Sequence, residues 1–221
     1  IVLDTHLISA NLSRAIQFRT VSYQDPSRLD GKEFSGFHRF LEQTFPKVHD
    51  QLQKEVIGDY SLLYTWKGEA PKLKPILLMG HMDVVPVEPD SEVKWTYPPF
   101  SGRIAEGYIW GRGALDNKVN ILAILEAVER SLNEGFRPHR TIYLAFGHDE
   151  ELGGWNGAAK IGELLKARGI RLDFILDEGG AIIDGRMFDT EAPVAVIGVA
   201  EKGYVSLELS VETAGGHSST P

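Results

Sequence analysis

The feature that most constrains the fold of this chain is a set of short, apolar runs. They cover residues 76–79, 141–146 and 174–176, and each has the composition of a strand that is buried on both faces. Between them, residues 117–133 and 158–168 carry apolar side chains at helical spacing. Strands that alternate with helices predict an α/β domain, in which helices cover both faces of a mostly parallel sheet.

The pattern changes near residue 195. Residues 196–199 and 204–211 alternate in the manner of antiparallel strands. This predicts one domain over residues 1–195 and the beginning of a second, α+β domain over residues 196–221. The first residues include neither an initiator methionine nor a signal-peptide pattern, so we expect the chain to start inside a longer sequence. The sequence leaves the cellular compartment open.

Composition excludes several classes of function. The chain has a formal net charge of −8 and no cysteine. The acidic balance argues against a nucleic-acid partner, and no apolar run has the length that spans a membrane. Without cysteine there are no disulfides, thiolate metal sites or cysteine nucleophiles. Any metal site must therefore be built from histidine, aspartate and glutamate.

Ionisable side chains directly follow each apolar run. His81 and Asp83 follow the first run, residues 148–151 (His-Asp-Glu-Glu) follow the second, and residues 177–178 (Asp-Glu) follow the third. Asp116 stands where the longest predicted helix begins. Because ligands of open α/β sheets bind beyond the carboxyl ends of the strands, we expect these segments to be neighbours in space.

Each segment also has a plainer interpretation. Asp116 suits a helix N-cap, and His81 with Asp83 suits a loop histidine held by a carboxylate. Residues 148–151 suit an exposed acidic loop, and residues 177–180 suit a common turn. Four such segments at one edge of a sheet favour a metal site instead. One imidazole with several carboxylates suits zinc, cobalt or manganese, and a single histidine favours two ions that share a carboxylate.

Short motifs along nearly the whole chain carry a family resemblance. They are residues 78–86 (LMGHMDVVP), 98–102 (PPFSG), 111–118 (GRGALDNK), 147–151 (GHDEE), 177–180 (DEGG), 201–203 (EKG) and 216–219 (GHSS). In this order they resemble the aminoacylase/carboxypeptidase family of co-catalytic zinc metallopeptidases, and within it the branch of carboxypeptidase S and the N-fatty-acyl-amino-acid hydrolases/synthases. Asn117 departs from the pattern, because many relatives have another acid there, and we expect the change to be tolerated.

The resemblance implies two divalent metal ions, zinc by preference, with cobalt or manganese as alternatives. It implies His81 as a ligand of one ion, Asp116 as the bridge between both, and Glu151 as a ligand of the second. Asp177 would bind the first ion, with Glu178 as its rival for that place.

The resemblance also implies the catalytic residues. Asp83 would orient His81, and Glu150 would be the general base that activates a metal-bridging water. His217 looks like the histidine of the family's lid domain, which contacts the substrate carbonyl. The family's last metal ligand is a histidine near the C-terminus of a longer chain, so we expect this chain alone to hold an incomplete metal shell.

The implied function is hydrolysis of the amide bond of a dipeptide or an N-acyl amino acid with a free carboxylate. The implied partners are this small substrate and a second copy of the protein, joined through the lid domain. Two other interpretations stay open: an inactive metal-binding fragment, and a two-metal aminopeptidase that prefers a free amine.

Overall fold

The computed structural model of the chain describes residues 3–200, 202–203 and 205–212. One compact unit ends at Glu178, and a second begins at Gly179. The assignment of residues 1–195 to a catalytic domain and of residues 196–221 to a second domain stays a prediction. Within the described residues, no helix combines the length and the apolar character that crossing a bilayer requires.

The first unit alternates helices and strands. Its helices are α1 (Thr5–Ile16), α2 (Gly31–Thr44), α3 (Pro46–Gln51), α4 (Lys118–Asn133) and α5 (Ala158–Ala167). Its strands are β1 (Gln53–Ile57), β2 (Ser61–Trp66), β3 (Ile76–His81), β4 (Arg103–Ala105), β5 (Tyr108–Trp110), β6 (Ile142–Gly147) and β7 (Ile175–Leu176). Short 3₁₀ turns lie at Pro26–Arg28, Pro89–Lys94 and Glu150–Leu152.

The central sheet has the strand order β1-β2-β6-β3-β7, while β4 and β5 form a separate antiparallel ribbon. Strand β3 runs parallel to both of its neighbours, β6 and β7. Strand β2 is antiparallel to β1 and to β6, so β1, β3, β6 and β7 all run in one direction. This confirms the prediction of a mostly parallel sheet, and it brings the carboxyl ends of β3, β6 and β7 to one edge.

Alternation along the strands gives the sheet two apolar faces. Leu62 and Tyr64 of β2 pack with Leu144 and Phe146 of β6 in one core, which also receives side chains of α1 to α4. Leu63 of β2 lies in a second core with the α5 side chains. Helices therefore cover both faces, as the sequence predicts. Because both faces are buried, the loops at the strand ends are where ionisable groups can be grouped near solvent.

The second unit contains a hairpin of β8 (Ala181–Ile183) and β9 (Val194–Val196), with a 3₁₀ turn at Gly185–Phe188 between them. Strand β9 ends at Val196, so the prediction of a strand over residues 196–199 is wrong beyond its first residue, and no strand covers the described part of residues 204–211. An alternating pattern gives a segment the propensity for a strand, but a strand forms only where a neighbour satisfies its backbone groups.

Candidate metal centre

His81 is the last residue of β3 and is buried, with 1% of its surface exposed. Its Nδ1 lies 2.9 Å from the backbone carbonyl oxygen of Asp83 and 3.4 Å from the Oδ1 atom of the same residue. Nδ1 therefore donates its hydrogen to Asp83 in the neutral ring. That tautomer leaves the lone pair of Nε2 available for a metal ion.

Carboxylates from separate segments surround Nε2 of His81. The nearest oxygen is Oδ1 of Asp116 at 2.9 Å, followed by Oε1 of Glu178 at 3.1 Å and Oε2 of Glu150 at 3.8 Å. Asp116 comes from the turn before α4, Glu178 follows β7, and Glu150 follows β6. The edge formed by β3, β6 and β7 thus brings one imidazole and several acids together, as the sequence predicts for neighbouring strand ends.

Asp116 is free to face His81 because it does not cap a helix. The N-cap residue of α4 is Asn117, and no side-chain hydrogen bond caps this helix. The interpretation of Asp116 as the N-cap is therefore wrong. The Asp116 side chain is 68% exposed and reaches Nε2 of His81 through Oδ1.

Asp83 connects His81 to the loop after β6. Its side chain is fully buried and accepts a hydrogen bond from Oγ of Ser22 at 2.7 Å. It also accepts from the backbone N–H groups of Glu150 at 3.1 Å and Glu151 at 3.2 Å. A buried carboxylate with three donors is held in one position, so it fixes the ring of His81 and the two glutamates in one arrangement.

The four residues of the segment 148–151 have two different structural roles. Glu150 and Glu151 have ligand atoms within 4.8 Å of each other and of His81. His148 instead is buried, with Nδ1 at 2.6 Å from Oγ of Ser61. Asp149 is buried too and accepts from the backbone N–H of Asn156 at 2.7 Å. The first two residues hold the loop, and the last two face the metal centre.

Of the two acids after β7, Glu178 is the one that approaches His81. His81, Asp116 and Glu178 offer ligand atoms within 4.8 Å of one another. Asp177 belongs to no such group within the described residues. Its Oδ1 accepts a hydrogen bond of 2.9 Å from the backbone N–H of Glu178. The geometry therefore favours the rival that the sequence leaves open.

The electrostatics of the cluster are unbalanced. Burial alone would lower the pKa of His81, but the hydrogen bond and charge of Asp83, with the charges of Glu178 and Glu150, raise that pKa to about 10. Burial, and then neighbouring acids, raise the pKa values of Glu150, Glu151 and Glu178, although the charge of His81 opposes the rise. One imidazole is thus too little positive charge for the carboxylates around it.

These residues fit a divalent cation. The donors are one imidazole nitrogen and several carboxylate oxygens, which suit zinc, cobalt and manganese. Two overlapping groups share His81, one with Asp116 and Glu178 and the other with Glu150 and Glu151. A divalent charge would offset the repulsion that raises the pKa values of these acids.

Comparison with known proteins assigns the family. The model of Peptidase family M20/M25/M40 matches residues 77–217, which include His81 and every acid of the candidate metal centre. The chain belongs to this family.

Several curated relatives are similar to this M20/M25/M40 family chain over almost its entire length. It is 49% identical to a probable carboxypeptidase S-like protein of Dictyostelium discoideum, over 97% of this chain and 42% of that protein. It is 45% identical to an N-fatty-acyl-amino acid synthase/hydrolase of Bos taurus, over 95% of this chain and 41% of that protein. Carboxypeptidase S of Saccharomyces cerevisiae is 42% identical, with 95% and 38% covered. The chain therefore spans about two-fifths of the length of these relatives.

Solved structures agree on the fold of this M20/M25/M40 family chain. An M20 family metallo-carboxypeptidase from Sulfolobus solfataricus matches with a TM-score of 0.62 at 20% identity, over 81% of this chain and 38% of that one. Human carnosine dipeptidase 1 matches with a TM-score of 0.60 at 19% identity, over 79% and 39%. At these identities the likeness concerns the fold.

Sequence reasoning located most of the cluster but missed its supports. Ser22 donates to Asp83, and Asn117 donates to Glu178. The buried ammonium group of Lys118 donates to the backbone oxygens of Ala15 at 3.1 Å and Phe18 at 2.5 Å. Asn117 and Lys118 belong to the motif of residues 111–118 and directly follow Asp116. This position beside a predicted metal ligand was the sequence feature that could have identified them. The predicted catalytic His217 lies outside the described residues.

Proposed function

We propose that the whole protein containing this chain is a metal-dependent hydrolase. It cleaves the amide bond of a dipeptide or an N-acyl amino acid with a free carboxylate. The observation that supports this is the approach of Asp116, Glu178 and Glu150 to Nε2 of His81, with Glu151 beside them. A cluster of this kind, at the carboxyl edge of the sheet, is where an α/β protein binds its ligand.

Two metal ions are part of this proposal, with zinc as the first candidate. His81 and Glu178 would hold one ion, Asp116 would serve both ions, and Glu151 would hold the other. Glu178 takes the place for which the sequence preferred Asp177, because Glu178 is the acid near His81. When bound, such ions supply Lewis acidity that lowers the pKa of water and polarises a carbonyl group.

Glu150 is the general base in this proposal. It takes a proton from the attacking water and passes that proton to the nitrogen of the leaving amine. In the metal-free cluster, burial and the surrounding acids raise the pKa of Glu150, while the charge of His81 opposes the rise. Asp83 keeps the backbone of Glu150 in place through the 3.1 Å hydrogen bond to its N–H. His217, by its motif, contacts the substrate carbonyl.

The substrate class is proposed from the relatives. One is named a synthase/hydrolase of N-fatty-acyl-amino acids and others are named carboxypeptidases. Both names fit an amide whose amine side is an amino acid, and hydrolysis of such an amide releases that amino acid.

Assays with blocked substrates test the proposal. The whole protein is assayed with N-acetyl dipeptides that keep a free carboxylate and with amidated dipeptides that keep a free amine. We expect hydrolysis of the first set, loss of activity with a chelator and recovery when zinc is added. Turnover of the second set alone would indicate an aminopeptidase, and metal binding without turnover of either set would indicate a non-catalytic protein.

A Glu150→Gln variant tests the base. We expect kcat to fall by at least about a hundredfold, the usual range for removal of a general base. Zinc content should stay at the wild-type value. Glu163→Gln changes an exposed glutamate of α5 and is the matched control, which should keep its activity. Near-normal turnover in Glu150→Gln would contradict the assignment.

A further inference from the structure

Asn117 occupies an N-cap position without acting as a cap. Asparagine at an N-cap normally accepts a hydrogen bond from a backbone N–H of the first helical turn. Here α4 receives no side-chain hydrogen bond from Asn117. The side chain is nevertheless buried, with 3% of the residue exposed. A buried amide that leaves its helix uncapped serves another contact.

That contact is with Glu178. Nδ2 of Asn117 donates to Oε2 of Glu178, while Oε1 of the same carboxylate lies 3.1 Å from Nε2 of His81. One oxygen of Glu178 is thus held by the amide and the other faces the imidazole. Strand β7, which precedes Glu178, is only two residues long and is exposed, so the core of the unit does not hold this side chain.

The orientation of the amide follows from the same contact. Oδ1 of Asn117 is buried without a hydrogen-bond partner. Turning the amide over would place Oδ1 against the Glu178 carboxylate, which repels it, and would remove the donor. Gly80 leaves room for the amide, because an added Cβ at Gly80 would lie 3.1 Å from Oδ1. An unsatisfied buried acceptor is costly, so its presence in this cluster calls for a functional reason.

We propose that Asn117 is a positioning residue that selects Glu178, over the adjacent Asp177, as the metal-binding carboxylate. This inference rests on the proposed metal site. Asp177 has no comparable donor from α4, since its Oδ1 accepts from the backbone N–H of Glu178. An ionised acid at position 117 would have no hydrogen to donate to Glu178.

A double-mutant cycle on zinc affinity tests the proposal. The whole protein is stripped of metal, and zinc affinity is measured by competition with a chromophoric chelator. Asn117→Ala should weaken zinc binding by about tenfold, which is typical for loss of a group that orients a ligand. The same change should also weaken zinc binding by about tenfold in an Asp177→Asn background, because Asp177 is not the carboxylate that Asn117 holds. In a Glu178→Gln background it should cost almost nothing.

The cycle separates positioning from general stability. Thermal unfolding of the metal-free variants is followed in parallel, and Asn117→Ser provides a second variant whose shorter hydroxyl does not replace the amide. An equal loss of affinity in both backgrounds, or coupling to Asp177 instead of Glu178, would overturn the inference. Wild-type protein that binds no zinc would overturn the metal site itself and the inference with it. Zinc binding without hydrolysis would count against the proposed function alone.

Discussion

At the scale of single residues, the two histidines at the ends of strands β3 and β6 have opposite surroundings. Nε2 of His81 meets carboxylates, and the pKa of His81 is raised to about 10. His148 packs edge-on against the ring of Phe34 and meets the hydroxyl of Ser61. Burial lowers its pKa. The first environment suits a ligand that exchanges a proton for a cation, and the second suits a neutral ring that holds a loop.

His49 allows a test of pH dependence away from the metal centre. Its Nδ1 lies 2.8 Å from the backbone oxygen of Phe45 and its Nε2 lies 2.9 Å from the hydroxyl of Tyr64. The neutral ring satisfies both contacts by donating from Nδ1 and accepting at Nε2. Burial lowers the pKa of His49 below its ordinary value of 6.5. Below pH 6.5 the unfolded chain therefore binds the proton more readily than the folded protein.

We expect this histidine to make the folded protein less stable as pH falls through 6.5, and to contribute no such loss above that pH. The free energy of unfolding is measured in urea between about pH 7.5 and pH 5.5, a range that brackets the pKa of histidine in the unfolded chain. Over this range it should fall more steeply for wild type than for His49→Gln. His139→Gln removes an exposed histidine and should follow the wild-type curve. Parallel curves for wild type and His49→Gln would contradict the prediction.

The residues of the cluster could be predicted where sequence places them beside a buried strand. His81 is the last residue of β3, Asp83 lies two residues beyond it, and Glu150 follows β6 within a few residues. The division between His148 and Glu150 could not be predicted, because the rotation of a loop after its strand depends on contacts such as that of Asp83 with two backbone N–H groups. Ser22 was missed because 61 residues separate it from Asp83.

At the scale of elements, the turn between β1 and β2 supports the loop that follows Glu151. Gly58 in this turn has φ +63°, and a Cβ there would lie 2.4 Å from the backbone oxygen of Asn156. Asn156 in turn donates its N–H to Asp149. The absence of a side chain at Gly58 is therefore what allows the turn to pack on the loop.

Two glycine substitutions separate backbone strain from this contact. Gly107, between β4 and β5, has φ +80° and open space where a Cβ would stand. Gly107→Ala should therefore cost about 1 kcal/mol of unfolding free energy, the price of a left-handed alanine. Gly58→Ala adds a clash with backbone and should cost roughly 2–4 kcal/mol. Urea unfolding of both variants measures the difference. An equal loss of unfolding free energy in the two variants would show that the loop of Asn156 can move away from the added methyl group.

Elements with a continuous apolar signal were predicted, and those without one were missed. Strands β3 and β6 lie inside the sheet, and their apolar runs mark them. Strand β1 (Gln53–Ile57) is an edge strand with one partner and half-exposed side chains, so its sequence has no apolar run. The two-residue strand β7 was predicted because Phe174 extends its apolar run to three residues, although the side chains of β7 are exposed.

At the scale of the whole molecule, metal binding should contribute to stability. The acids around His81 repel one another without a cation, and a ligand that binds only the folded state stabilises it. At a free zinc concentration a hundred times the dissociation constant, the expected gain is about 2.7 kcal/mol. Thermal unfolding with zinc and with a chelator measures it.

Matched variants show whether that gain comes from the cluster. Asp116→Asn removes a carboxylate from His81 and should lose most of the zinc-dependent shift in unfolding temperature. Asp189→Asn changes an acid in the second unit and should keep it. A zinc shift that survives in Asp116→Asn would place the bound metal elsewhere.

The class of the fold could be read from the sequence, but the order of its strands could not. Alternation of apolar runs and helices predicts a parallel sheet covered on both sides. The order β1-β2-β6-β3-β7 depends on which edges pair after distant segments meet, and apolar composition alone does not distinguish β3 from β6 as a partner for β2.

The register between β3 and β6 limits where the chain can gain or lose length. His81 pairs with Gly147, and the N–H of Met82 donates to the oxygen of Gly147 at 2.8 Å. A single inserted residue within β6 would exchange its two faces, sending Phe146 out of its core and turning the following loop away from His81. Homologous genes should therefore tolerate insertions in the surface segment of residues 86–99 and resist them between residues 142 and 147.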